Sequence, residues 1–224
     1  MSSGILPAST ANLILGGGTW SGGSAVQCNL ILAGNITISG TVFFGNSATP
    51  TLTYSSGTIT TTGSTLSLQG SVNLNTNGVT WNILSISSGG TVILTLTSNL
   101  NAVTLTQTSG ILTETGAFNL SLSSATFNGG TVTWAANQTI SISNSLTMFN
   151  ITFKSGTASS PLYVQYTGVK SSQNIFSMIF TDVQATGNKL YNYNGSTLTR
   201  TSNIVNVNAS NINPKAIQYY NGAV

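Results

Sequence analysis

The chain has 224 residues, of which 3% are charged and 40% are hydrophobic, with a formal net charge of +3, one cysteine and no histidine. Disordered chains combine low hydrophobicity with high charge, and ordinary globular domains are about 25% charged; this composition fits neither and is read as a folded chain with a neutral, hydroxyl-rich surface. The lack of histidine excludes Ser/His and Cys/His triads and the common zinc sites, and Cys28, being alone, excludes an intrachain disulfide and reads as a small buried hydrophobe.

Glu114 is the only charged residue up to position 153, and Lys154, Lys170, Asp182, Lys189, Arg200 and Lys215 all follow. Because these cations are scattered and form no basic run, nucleic acid is not an expected partner. The opening Met-Ser-Ser-Gly-Ile-Leu-Pro has neither a basic segment nor a following apolar run, so no secretory signal is expected there, although a mature protein with a replaced start would look the same. No apolar stretch reaches eighteen residues, and membrane insertion is not expected.

Residues 1–27 read as an N-terminal arm or cap, with a glycine turn at Gly16-Gly17-Gly18 and one apolar segment, Asn12-Leu13-Ile14-Leu15, that recurs as Asn29-Leu30-Ile31-Leu32. Residues 28–153 read as repeats. The early ones, at Gly40 and Gly57, are unevenly spaced; later ones fall every twenty residues, opening at Gly70, Gly90, Gly110 and Gly130. Each opens with a glycine able to turn a corner and continues with residues of high β-propensity. A unit of that length cannot bury its own apolar face, and stacking the copies is the remedy.

The expected fold is therefore all-β, a parallel β-helix or β-solenoid of about twenty-residue rungs with an irregular β C-terminal part, with almost no helix. An antiparallel sandwich or jelly roll shares the alternation and turn signals and is the alternative. In the solenoid, Val72, Val92, Leu112 and Val132 are expected to form one internal column. A second signature, an asparagine within apolar alternation, recurs at Asn82, Asn119 and Asn150 and is expected to form a stacked corner ladder, with two strands per rung.

From Lys154 the texture changes, and residues 154–224 read as a C-terminal β region, either a cap or a recognition piece. Six of the seven tyrosines lie there. Tyrosine offers contact area at low entropic cost, so Tyr163, Tyr166, Tyr191, Tyr193, Tyr219 and Tyr220 are the candidate recognition residues, with Lys189 and Arg200 as ligand-facing charges. Capping of the last rung by the same tyrosines is the alternative.

Catalysis is not expected. The two carboxylates, Glu114 and Asp182, are too far apart along a solenoid to face one another across a glycosidic bond, and each reads as an exposed charge or a local cap. No clustered carboxylates exist to hold a hard metal ion, and no phosphate loop follows Gly18. Neither a metal nor a cofactor is expected. The Thr-x-Thr pairs Thr95/Thr97, Thr113/Thr115 and Thr131/Thr133 recur every eighteen residues. They resemble the ice-binding face of certain antifreeze proteins, but against a twenty-residue repeat they are expected to walk around the surface.

Taken together, the Gly-Thr-Val openings, the aromatic-Asn-Ile/Leu segments and the charge-poor surface over residues 28–153 resemble β-helical repeats of viral and phage fibre, spike and capsid-decorating proteins, and the passenger repeats of bacterial adhesins. The resemblance implies a non-catalytic structural protein on a virion exterior, self-associated as a homotrimer. Its implied partners are a capsid or other virion protein and a cell-surface glycan. An extracellular adhesin or matrix protein is the second expectation and a Thr-rich ice-binding protein the third. Weak like-charge repulsion independently suits a surface held in an assembly.

Overall fold

A computed structural model describes residues 12–23, 25–45, 49–86, 90–158 and 160–168, and thereafter 172–175, 178–181, 183–187, 190–192, 198–200 and 217–219. From Gln173 it gives the course of the backbone and the burial of Val183. Among the described residues there is no α-helix, and every strand pairing is parallel. The jelly-roll alternative fails on that point, because its ladders are antiparallel.

The chain winds as a solenoid with three faces. The first face stacks residues 12–15, 29–32, 51–54, 71–75, 91–96, 111–114, 131–134 and 151–154. The second carries residues 17–21, 35–39, 80–81, 101–102, 120–122, 140–142 and 163–166, and the third carries residues 41–45, 65–69, 83–86, 104–107, 124–127 and 145–148. Two long strands, β13 (Leu120–Trp134) and β14 (Thr139–Ser155), each bend across all three faces without losing register with one another beyond a single irregularity. Each coil thus contributes three strand segments, not the two expected.

Alternation sets the radial division. In β10 (Thr91–Leu96), Val92, Leu94 and Leu96 are buried while Thr91 and Ile93 are exposed, and the inward side chains of all three faces join one apolar core. Val92, Leu112, Val132 and Phe153 form one column, as Val92↔Leu112, Leu112↔Val132 and Val132↔Phe153 are paired. Val72 departs from expectation. It pairs with Leu94, because the coil between Gly70 and Gly90 is two residues longer in register than the glycine period suggests. The parity is unchanged, so Val72 still points inward and is fully buried.

Among the described residues stacking is already present at Asn12, inside the segment read as an arm or cap, and continues beyond Lys154: β15 (Leu162–Tyr166) lies on β14, and β18 (Val183–Gly187) lies on β15. The glycine corners are close approaches. A Cβ on Gly130, at φ 90°, would meet the Gly110 carbonyl oxygen at 2.0 Å, whereas a Cβ on Gly90 would meet nothing within 4 Å.

The expected asparagine ladder is not formed as one column. Asn119 stands level with Thr139 and its Oδ1 accepts the Thr139 backbone N–H at 2.7 Å, while its own N–H donates to Asn99 Oδ1. Asn82 instead donates to the Ser64 carbonyl, and Asn150 occupies a left-handed corner at φ 50°. The physical reason is that a side-chain carbonyl one coil away can satisfy a backbone N–H that a bend has freed from the ladder. An amide-to-amide contact between coils does occur at the other end, from Asn29 Nδ2 to Asn12 Oδ1 at 3.1 Å.

Candidate functional site

Two kinds of place could carry function: the few chemistry-bearing side chains, and the outward faces. Glu114 is the only carboxylate among residues with described side chains. It ends β12 (Ile111–Glu114), paired with Leu94 on the inward side of the first face, and is only 2% exposed. It is not the exposed charge that the sequence allowed. Its Oε1 accepts the Gly116 N–H, and its Oε2 accepts the Ala135 N–H of the next coil at 3.4 Å. The turn it holds is tight: Ala117 sits at φ 61°, and the Trp134 indole N–H donates to the Phe118 carbonyl at 2.8 Å.

Burial pushes the Glu114 carboxyl above its ordinary range, and the backbone N–H groups of Gly116, Ala135, Phe118 and Ala117 pull the other way. This arrangement is a loop cap. Gln107, also fully buried, ties another corner by donating to the carbonyls of Gly110 and Thr131 at 3.2 and 3.3 Å. Alternation with Leu105 puts it on the inward side of its strand. Cys28 is buried, as expected. Among the described residues no three of His, Cys, Asp and Glu come together as a metal site, and no helix is long and apolar enough to cross a membrane.

The recognition tyrosines divide. Tyr166 lies inside the solenoid, fully buried, with its hydroxyl donating to the Asn144 carbonyl at 2.8 Å, so it serves the core and not a ligand. Tyr163, two residues earlier, points outward on the second face, half-buried and level with Thr139. Tyr191, Tyr219 and Arg200 lie on the described backbone of β19 (Leu190–Asn192), β21 (Ile217–Tyr219) and β20 (Leu198–Arg200). The side chains of these three fall outside the described residues, as do Tyr193, Tyr220, Lys189 and Asp182 altogether.

The threonine pairs do not walk off their face. Thr95 pairs across coils with Asn73 and its hydroxyl lies 3.1 Å from that of Thr115, while Thr113 pairs with Thr133. They step along the first face by two residues per coil. That face also carries Ile93, Ile111 and Lys154, all exposed.

The third face is more regular. Its outer side holds two columns, Thr65, Ile83, Thr104, Ser124 and Ser145 in one and Ser67, Ser85, Thr106, Thr126 and Thr147 in the other. Nine of these ten positions are hydroxyl residues, and none is charged. None of the nine hydroxyls has a hydrogen-bond partner among the described residues. Some hydroxyls elsewhere are used by the fold, as with Ser141 donating to Gln165 on the second face and Thr61 donating to the Thr80 carbonyl. Sequence reading missed this array because it followed Thr-x-Thr pairs. The wider pattern of Thr or Ser at alternate positions, recurring through 104/106, 124/126 and 145/147, would have found it.

No protein-family model matches the chain, and neither a curated protein nor a solved structure is significantly similar to it. Fold and side-chain geometry are therefore the whole basis for a functional reading. The class they define is a parallel β-solenoid with one uncharged, hydroxyl-rich outer face.

Proposed function

We propose that this chain is a non-catalytic structural protein of a virion exterior, a fibre, spike or capsid-decorating component in which the coils act as a rigid spacer. The observation that carries the reading is the use made of the reactive side chains. Glu114 is spent on capping a turn, Tyr166 and Cys28 are interior, and the third face repeats neutral polar residues from coil to coil. Such a surface has little like-charge repulsion against close association. The expected assembly is a closed homotrimer seated on a capsid or other virion protein, with a cell-surface glycan as the attachment target.

Mass spectrometry and antibody labelling of purified particles test this. The protein should copurify with intact particles and be labelled on their outside. Its recovery from a secreted or cell-wall fraction, with particles free of it, would overturn the reading in favour of an adhesin or matrix protein. Light scattering at micromolar concentration tests the assembly, and a stable monomer would remove the trimer.

A further inference from the structure

The third face goes beyond a spacer's needs. We infer that its two hydroxyl columns bind a lattice of ordered water and thereby adsorb to the surface of ice; this does not rest on the virion reading. Thr104, Thr106, Ser124, Thr126, Ser145 and Thr147 form three consecutive rows in register. Rows repeat about every 4.8 Å up the stack, and the two residues of a row stand about 6.6 Å apart along the strand. The result is a two-dimensional grid.

Three features select the occupant. First, hydroxyls without protein partners must satisfy themselves with water, and a rigid backbone repeats the position of each such water from row to row. Second, the grid carries no charge, so an ionic ligand finds no complement. Third, no aromatic ring stands among its ten positions; Phe43, one coil before Ser67, and the exposed Phe149, two residues beyond Thr147, lie at its margins, so a sugar ring finds no flat apolar platform within the grid. A surface that itself repeats uncharged donors and acceptors in two dimensions is what remains. Each contact is weak, but the grid is preorganised and engages many contacts at once.

The whole chain is assayed for freezing hysteresis and for crystal shape in supercooled droplets, beside Thr126→Tyr and Thr106→Lys on the grid and Thr113→Tyr on the first face. The parent and Thr113→Tyr should facet ice and depress its growth temperature in a concentration-dependent way. Both grid variants should lose most of that effect, with circular dichroism unchanged. If Thr126→Tyr does not fold, Thr106→Lys alone decides. Round crystals with no hysteresis from the parent would overturn the proposal, as would equal loss in Thr113→Tyr. Retention on insoluble cellulose or chitin without any effect on ice would also overturn it and assign the face to a saccharide.

Discussion

Glu114 and Ala135 belong to successive coils, and the carboxylate of the first accepts the backbone N–H of the second at 3.4 Å, with the Gly116 N–H on its other oxygen. One buried side chain therefore holds a turn to its own coil and to the next. Removing an acceptor strands buried donors, each at about 1–3 kcal/mol. Glu114→Leu should lower unfolding free energy by about 3 kcal/mol or more, and Glu114→Gln, which keeps one carbonyl oxygen, by less than half as much. Urea titration measures both, and equal stability of parent and leucine variant would show that the cap is dispensable.

The same residue gives a pH dependence of defined sign. Burial raises its folded-state pKa above the ordinary value of 4.5, so the folded chain holds this proton more tightly than the unfolded chain does. Stability from this group is then gained as pH falls through the raised value and is complete below the ordinary one. The melting temperature of the parent minus that of Glu114→Gln should rise between pH 7 and pH 4. A falling difference would mean that the backbone donors outweigh burial.

The core column gives a sharper contrast between inside and outside. Val92 is 1% exposed and stacks on Leu112, whereas Thr113, the next residue along that strand, faces outward. Val92→Asp buries a charge with no partner and should cost more than about 4 kcal/mol, enough to unfold a marginal domain. Thr113→Asp should stay within about 0.5 kcal/mol, the usual range for surface changes. Soluble expression and thermal melting of the pair check this, and comparable losses would contradict the assignment of faces.

Glycine corners test the close approaches between coils. Gly130→Ala places a Cβ against the Gly110 carbonyl at a φ that L residues rarely adopt, and a cost of about 1–3 kcal/mol is expected from backbone strain alone. Gly90→Ala meets open space at a φ outside that region and should be near neutral. Melting curves of the two variants decide it, and equal shifts would mean that the corner adjusts.

Much of this was legible from the chain because periodicity and alternation are local. Gly110 and Gly130 mark their corners, and Val92, Leu112 and Val132 align because their coils share one length. The shift of Val72 onto Leu94 was hidden, since coil length depends on the connections between faces and not on where the glycines fall: one extra residue lies between Asn75 and Thr80 and the other between Ile86 and Thr91. Inward polar residues were hidden for a related reason. Gln107 and Glu114 occupy positions that alternation assigns to the core, but their partners are backbone groups of turns whose shape a sequence does not display.

The C-terminal third supplies the last test. Tyr166 is interior, its hydroxyl bonded to the Asn144 carbonyl, and β15 pairs with β14 over Thr139 to Ile142. Those residues continue the core past the boundary at Lys154, so this part of the segment covers Ile140 and Ile142, both fully buried, while the strand Met178–Thr181 lies on Ile151 to Lys154. Deleting residues 154–224 uncovers that apolar layer together with the unpaired edge of a coil, a template for pairing with another copy. The truncated chain should aggregate or fail to assemble, by size-exclusion chromatography and thioflavin fluorescence. Tyr163→Ala in the full chain, by contrast, alters an outward side chain and should leave folding intact while reporting on any glycan contact. A soluble, assembled truncation that had lost only glycan binding would show that the segment is a recognition head and that the core ends before it.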